Sequence, residues 1–304
     1  RGLTLRGFPL LKDSEARAGI RVGLWPIGRG AQLGLYPNLN AADPVWRALL
    51  READFRRALS LAIDRGEINR TIYQGLAAAG NNLLLPESPL YDPAERAAWA
   101  AHDPARADAL LDGLGLTGRD AAGRRLLADG RPLQLVIESG EVDPAETDVL
   151  QLVAEDLRAV GIEALIRVRS RGTFRSQNGE TVMSLFYGLA NGLATPDMAP
   201  AELAPVSDRQ NQWPAWGRFA ETNGREGEAP DLPAAERLLA LYRAWSQAGD
   251  RAARSAAWRE MLAIHADQVF TIGLVAGVPQ PVVRRAGLRN LPESASYLYE
   301  PGAY

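Results

Sequence analysis

One stretch of the sequence, residues 133–168, restricts the possible folds more than any other. A strand pattern at 133–137 is followed by a helix pattern at 143–160 and, after Gly161, by a second strand pattern at 162–168. A crossover helix of this length joins two parallel strands of one sheet. The sequence therefore predicts an α/β fold. The apolar positions on the inward face of this helix are Val149, Leu152, Val153 and Leu157.

Aspartate followed by proline is typical of a helix start, because the carboxylate accepts hydrogen bonds from free amides and proline tolerates the first helical position. This dipeptide occurs at Asp43-Pro44, Asp92-Pro93, Asp103-Pro104 and Asp143-Pro144. Asp64, with Glu67 three residues later, resembles a capping box and predicts a further start. Periodicity also predicts helices at 233–247 and 250–268 and strands at 181–187, 269–275 and 281–283.

Composition excludes several classes of protein. With 46% apolar and 23% charged residues, the 304-residue chain has the composition of an ordinary globular protein. Its net charge of −3 lacks the excess of positive charge that is typical of nucleic-acid-binding proteins. There is no cysteine, so metal sites and nucleophiles that need a thiolate are excluded. Only two histidines, His102 and His265, are available as metal ligands or general bases. A G-x-G-x-x-G match at 113–118 follows a helix and is interpreted as a helix cap. We expect no catalytic residue, no cofactor and no metal.

Several motifs of one family occur together and in order. The segment DFRRALSLAIDRGEI at 54–68 resembles the helix pair typical of the family 5 extracytoplasmic solute-binding proteins, the oligopeptide, dipeptide and nickel receptors of ABC importers. The segment DPARADALL at 103–111 resembles the next helix of that family, and LRAVGI at 157–162 resembles its turn into a strand. The remaining matches are Leu85-Pro86, GRPL at 130–133, and the helix at 252–267 with the strand after it. The resemblance covers most of residues 20–304.

The resemblance implies a periplasmic-binding-protein-like two-lobe fold of the class II, or cluster C, type, here with lobe I incomplete. Residues 1–40 would form the end of lobe I and a hinge strand, 41–269 would form lobe II, and 270–304 would return into lobe I. The chain opens with RGLTLRGFPL, without methionine or a leader, which agrees with the C-terminal portion of a longer receptor. A large exposed apolar surface is then expected at the terminal segments.

The resemblance further implies a function in transport without catalysis. The protein would be the substrate-binding component of an ABC importer in the periplasm, and it would deliver a small-molecule or short-peptide ligand to a permease in the inner membrane. Its partners would be this ligand, the permease and the N-terminal part of the same receptor, with no nucleic acid. Two lobes would close on the ligand by a hinge motion.

Aromatic and amide side chains outside the regular elements are the candidate ligand contacts, because rings stack on a solute while amides orient its polar edges. The predicted contacts are Trp25, Asn38 and Asn40 from the first lobe edge and Tyr187, Asn191, Trp213 and Trp216 from the second. For Trp213 and Trp216, packing beneath a long loop is an equally weighted interpretation.

Asn191 stands about where peptide receptors of the family carry a carboxylate that pairs with the amino group of the ligand. Asp197 is near enough in sequence to provide a carboxylate instead. Loss of a charge-assisted hydrogen bond weakens binding by about 1.5–3 kcal/mol. A peptide, an opine-like solute and a sugar-like solute therefore all remain candidate ligands.

Two other functions remain open on the sequence alone. One is an α/β hydrolase-type enzyme with a carboxylate-based site, which a converging cluster of carboxylates or histidines would indicate. The other is a peptide-binding chaperone or sensor on the same scaffold. Neighbouring permease and ATPase genes would distinguish a transport protein from that alternative.

Overall fold

A computed structural model describes residues 3–140, 143, 145–170, 172–173 and 181–297. Its strands are β1 (Ile20–Pro26), β2 (Gly34–Pro37), β3 (Ala78–Ala79), β4 (Gln134–Ser139), β5 (Glu163–Val168), β6 (Met183–Phe186), β7 (Ile272–Gly273), β8 (Val275–Ala276) and β9 (Pro279–Arg285). Its α-helices are α1 (Phe8–Asp13), α2 (Glu15–Ala18), α3 (Pro44–Arg51), α4 (Ala53–Ala62), α5 (Arg65–Tyr73), α6 (Pro93–Ala97), α7 (Pro104–Gly113), α8 (Glu146–Ala159), α9 (Pro214–Glu221), α10 (Pro233–Gln247) and α11 (Arg251–Gln268). Short 3₁₀ helices lie at Leu5–Gly7 and Ala201–Leu203.

The central sheet has five strands in the order β5-β4-β6-β2-β7. Strand β4 pairs in parallel with β5 and β6, whereas β2 pairs antiparallel with β6 and β7. Helix α8 connects β4 to β5 and buries Val149, Val153 and Leu157 in the apolar core beside the sheet. The crossover that the sequence predicts at 133–168 is therefore confirmed. The side chain of Leu152 is only partly buried against the same core.

Three helices begin as the Asp-Pro pattern predicts. Asp43 accepts hydrogen bonds from the amides of Val45 and Trp46, at 2.9 and 3.2 Å, at the start of α3. Asp92 caps α6 and Asp103 caps α7 through the same kind of contact. Each carboxylate satisfies an amide that has no partner within its helix.

The fourth Asp-Pro position differs from this pattern. Asp143 accepts a hydrogen bond from the amide of Ala145 at 2.8 Å, and α8 begins only at Glu146. The other oxygen of Asp143 accepts from the side-chain amide of Gln32 at 2.6 Å. Pro144 lies outside the described residues. The expected helix start at Asp143 is therefore wrong by three residues, because this carboxylate holds the turn that precedes the helix.

Two apolar clusters fill the interior of the described residues. The first surrounds the central sheet and includes Phe55 of α4, Leu111 of α7 and Ile137 of β4. The second lies around helices α9, α10 and α11, and Trp213 and Trp216 are fully buried in it. Burial of apolar area in these clusters is the main force that holds the elements together.

Strands β1 and β9 form a separate two-stranded antiparallel sheet. The chain passes from this sheet to the central sheet through residues 27–33, the first crossing, and returns through residues 274–278, the second crossing. The two crossings are hydrogen-bonded to each other. The amide of Ile27 donates to the carbonyl of Val278 at 3.0 Å, and the amide of Gln32 donates to the carbonyl of Val275 at 2.6 Å.

Some exposed apolar side chains lie near both ends of the described chain, and the large apolar surface expected there stays a prediction. Leu10 is 73% exposed and Leu288 is 50% exposed, and Leu3 and Val283 are also exposed. Among the residues that the structure describes, no helix has both the length and the hydropathy that crossing a bilayer requires.

Candidate functional site

A cavity of about 600 Å³ opens at the end of β6. We call it the Tyr187 cavity. Its lining residues are Arg29, Tyr36, Asn82, residues 186–191, residues 201–203, Val206, Ser207, residues 209–212, His265 and Thr271. The volume lies within the range of about 300–1,000 Å³ that is typical of small-molecule sites.

One side of the cavity is aromatic and carries a positive charge. The guanidinium carbon of Arg29 lies 3.9 Å from the centroid of the Tyr187 ring, which is a cation–π contact. Phe186 packs edge-on against Tyr187, with 5.6 Å between the ring centroids. The Tyr36 hydroxyl donates a hydrogen bond to the Tyr187 carbonyl and fixes the backbone beneath the ring.

The loop that follows β6 is attached to the first crossing by backbone hydrogen bonds. The Gly30 amide donates to the Leu189 carbonyl at 2.9 Å, and the Gly188 amide donates to the Ala31 carbonyl at 3.1 Å. A Cβ atom on Gly188 would lie 2.5 Å from both the Ala31 carbonyl oxygen and the Asn82 Oδ1 atom. Only glycine allows the two segments to approach this closely.

Asn82 joins three parts of the cavity. Its Oδ1 atom accepts a hydrogen bond from the Leu189 amide at 2.7 Å, and its Nδ2 atom donates to the Thr271 hydroxyl at 3.1 Å. The side chain is 5% exposed. Because it is held from both sides, Asn82 fixes the loop after β6 relative to the segment that enters β7.

Glu202 supplies a carboxylate to the same cavity. Its two oxygens accept hydrogen bonds from the Ala190 amide at 3.0 and 3.2 Å. Burial raises the pKa of the Tyr36 hydroxyl well above its ordinary value, and the Glu202 charge raises it further, whereas Asn82 and Arg29 act in the opposite direction. Tyr36 therefore stays protonated and remains a hydrogen-bond donor.

His265 lies at the base of the cavity, where its Nε2 atom is 2.8 Å from the Leu203 carbonyl oxygen. Burial lowers its pKa to about 4, and the nearby Arg56 charge acts in the same direction. The ring is therefore neutral at pH 7 and donates to this carbonyl. Trp213 and Phe270 pack edge-on against it, with centroid distances of 5.8 and 5.5 Å. His265 thus holds the 3₁₀ turn that carries Glu202.

Residues 15–207 match the family model of the bacterial extracellular solute-binding proteins, family 5, middle region. The chain belongs to this family. The sequence-based resemblance to family 5 is therefore confirmed, and so is the α/β periplasmic-binding-protein fold class. Family 5 proteins are binding proteins and not enzymes, so the hydrolase alternative is excluded by family membership.

Several solved structures are similar in fold to nearly all of this chain. The oligopeptide-binding protein OppA is 29% identical with a TM-score of 0.80, and the match covers 97% of this chain and 48% of that one. AppA from Bacillus subtilis, solved with a nonapeptide, is 13% identical with a TM-score of 0.70 over 96% and 52% of the two chains. MelB from Agrobacterium fabrum C58, solved with stachyose, is 18% identical with a TM-score of 0.71 over 92% and 42%.

The chain thus spans about half the length of these solved structures. A search among curated proteins finds no match.

Two of the candidate residues predicted for this family 5 protein line the Tyr187 cavity, namely Tyr187 and Asn191. Two others are elsewhere on the surface. Trp25 lies in β1, where its indole nitrogen donates to the Glu293 carbonyl at 3.2 Å. Asp197 forms an ion pair with Arg254 at 3.1 Å and does not line the cavity.

Asn38 and Asn40 are buried and support the backbone instead of facing the cavity. The Nδ2 atom of Asn38 donates to the Thr181 carbonyl at 2.8 Å. The Oδ1 atom of Asn40 accepts from the amides of Ala215 and Trp216, at 3.0 and 3.3 Å, and caps α9. In this arrangement both side chains have structural contacts in place of the expected solute contacts.

Trp213 and Trp216 have no exposed surface. Their rings stack at a centroid distance of 6.4 Å, and Trp213 packs on Phe270 at 5.2 Å. Of the two interpretations left open by the sequence, packing in the core describes these tryptophans. The expected stacking on a solute does not fit their position, because the second apolar cluster surrounds both rings.

The sequence-based candidates did not include Arg29, Tyr36, Asn82 or Glu202, the lining residues that make the polar and cation–π contacts described above. Asn82 lies in a Gly-Asn-Asn loop, which is a recognisable turn signal. Arg29 and Glu202 carry no local signal, because their proximity depends on the crossing of distant segments. Within the described residues, no group of three potential metal ligands lies together.

Proposed function

We propose that this protein is the substrate-binding component of an ABC importer and that the Tyr187 cavity forms one side of its solute site. The observation that carries the proposal is the cavity itself, with aromatic rings on one side and fixed polar groups on the other. Family 5 membership supports the general role in solute binding. The periplasmic location and delivery to an inner-membrane permease are parts of the same proposal.

Closure of two lobes would complete the solute site. In this proposal the β1–β9 sheet belongs to lobe I, together with the N-terminal part of the receptor, and the central sheet with its helices forms lobe II. Because β2 and β7 are strands of the central sheet, the lobe boundaries expected near residues 40 and 270 move to the two crossings. The two crossings would be the hinge. Solute bound between the lobes would stabilise the closed form, because only that form contacts it from both sides. The permease would recognise the closed form.

The groups that line the cavity support a class of ligand. Tyr187 offers a ring face, Asn191 offers an amide, and Glu202 and Arg29 offer one charge of each sign. These groups suit a small polar solute of the peptide, opine-like or sugar-like kind. Relatives solved with a nonapeptide and with stachyose support both a peptide and a sugar as candidates.

Native mass spectrometry of the intact receptor tests the proposal. A solute that co-purifies is identified, removed and titrated back by calorimetry, with trialanine and stachyose as reference probes. Tyr187→Ala is expected to weaken binding at least tenfold, because the ring and the Arg29 contact are both lost. Tyr242→Ala, which removes a ring that stacks on Trp245 outside the cavity, is the control. Equal affinities of the two variants would refute the assignment of the cavity.

A further inference from the structure

Three consecutive side-chain amides, those of residues 210–212, line the Tyr187 cavity. The first of them, Gln210, is held by the fold. Its Oε1 atom accepts three hydrogen bonds of 3.0 Å, and its Nε2 atom donates two, of 2.8 and 2.9 Å. The partners are the Val206 and Ser207 amides, the Trp213 indole, and the Ala201 and Ala204 carbonyls. The fold thus occupies both ends of this side chain.

Asn211 and Gln212 differ from Gln210 in that the fold leaves their side-chain amides unused. Asn211 is 8% exposed and Gln212 is 3% exposed. Within the described part of the chain, neither side-chain amide forms a hydrogen bond. A polar group that is buried to this degree without a partner lowers stability, since it has given up most of its contact with water. The fold alone therefore does not account for these two amides.

Both amides remain within reach of a solute. The side-chain nitrogen and oxygen atoms of Asn211 and Gln212 keep accessible surface, whereas the unpaired Nδ2 atom of Asn40 is fully enclosed. The Gln212 carbonyl accepts a hydrogen bond from the Leu39 amide at 2.9 Å, which holds this segment in place. Because both residues line the cavity, their amides face the solute site from a fixed segment of its wall.

The charged groups of the cavity are engaged or exposed. Glu202 accepts hydrogen bonds from the Ala190 amide, and Arg29 lies over the Tyr187 ring. Arg209 also lines the cavity, but it is exposed, so water and salt screen its charge. The two free amides therefore add uncharged donors and acceptors to a site whose charged groups already have contacts.

We infer that Asn211 and Gln212 determine the specificity of the Tyr187 cavity by binding an uncharged group of the solute that carries a donor and an acceptor side by side. Each side-chain amide offers an NH₂ group and an oxygen in the same arrangement. A peptide amide and a pair of adjacent sugar hydroxyls both match it, whereas a carboxylate or an ammonium group would leave half of each amide unpaired. The inference rests on the proposed function, which places the solute in this cavity.

Calorimetry on the intact receptor tests the inference with two uncharged probes, stachyose and N-acetyl-trialanine amide. Asn211→Leu and Gln212→Met remove the amides with little change in size. At least one probe is expected to bind the parent, and each variant is expected to bind that probe about tenfold more weakly. The probe that binds distinguishes a sugar from a peptide. If neither probe binds the parent, or if either variant keeps the parent affinity, the inference is overturned.

Urea denaturation separates recognition from a structural role. Because the two amides have no partner among the described residues, Asn211→Leu and Gln212→Met are expected to keep the free energy of unfolding of the parent. Gln210→Met is the matched control, since it breaks the hydrogen bonds of a neighbouring amide and is expected to lower that free energy. Losses of stability in the two variants as large as in Gln210→Met would show a structural role and overturn the inference.

Tyr187→Ala separates this inference from the proposed function. Lost affinity in Tyr187→Ala, with parent affinity in Asn211→Leu and Gln212→Met, would refute the inference and leave the proposed function in place. Parent affinity in all three variants would refute both.

Discussion

The guanidinium group of Arg29 lies over the ring of Tyr187, with 3.9 Å between its central carbon and the ring centroid. Arg29 belongs to the first crossing and Tyr187 to the loop after β6. The contact therefore links the segment between the two sheets to the lining of the Tyr187 cavity. Contacts of this kind contribute about 0.5–2 kcal/mol, depending on their exposure.

A double-mutant cycle measures this contact. Arg29→Ala, Tyr187→Leu and the double variant are expected to give a coupling free energy of about 0.5–1 kcal/mol in urea denaturation. In the cycle, the free-energy contributions from the other contacts of each side chain cancel. A coupling free energy near zero would mean that the geometry contributes nothing to stability.

Gly188→Ala is expected to destabilise the fold. The added Cβ atom would lie 2.5 Å from the Ala31 carbonyl oxygen, so the loop and the first crossing must separate. Forced separation in a packed region costs about 1–3 kcal/mol. The measurement is the free energy of unfolding, with Gly113→Ala as the control because nothing lies within 4 Å of its added Cβ atom. Equal stability of the two variants would contradict the prediction.

Asn40→Ala tests the cap of α9. The Oδ1 atom of Asn40 accepts from two amides at the start of this helix, and loss of such a cap costs about 0.5–2 kcal/mol. The free energy of unfolding should fall by that amount. If Asn40 were a solute contact only, the variant would lose affinity while its unfolding curve stayed unchanged.

Stability should depend on the protonation of His265. Its pKa is about 4 in the folded chain and about 6.5 when unfolded, so the unfolded state binds the proton more tightly. The free energy of unfolding is therefore highest above pH 6.5 and falls as the pH decreases towards 4, by an amount of the order of 3 kcal/mol. His265→Gln should be less sensitive to pH over this range. Parallel pH profiles of the parent and the variant would argue against a neutral buried imidazole.

Local features of the fold can be predicted from the sequence because their causes lie within a few residues. Asp43, Asp92 and Asp103 cap helices that start at the next residue. The crossover helix between β4 and β5 follows from its length and from the two strands that flank it. The candidates Tyr187 and Asn191 also have a local signal, since Tyr187 ends the strand predicted at 181–187 and Asn191 lies in the loop after it.

Contacts between distant segments are not encoded in any local pattern. Asn40 caps a helix 175 positions further along, and Asn38 donates to a carbonyl 143 positions away. From the sequence alone, both resemble exposed loop amides. The burial of Trp213 depends on Phe270, and the position of Glu202 depends on His265. These residues could be assigned only after the chain had been folded.

The paired crossings have a mechanical consequence. The β1–β9 sheet is joined to the central sheet by two crossings, which are linked to each other by the hydrogen bonds of the Ile27 and Gln32 amides. A rotation about one crossing alone would break those hydrogen bonds. A rotation between the two sheets that keeps these hydrogen bonds would have to bend both crossings together.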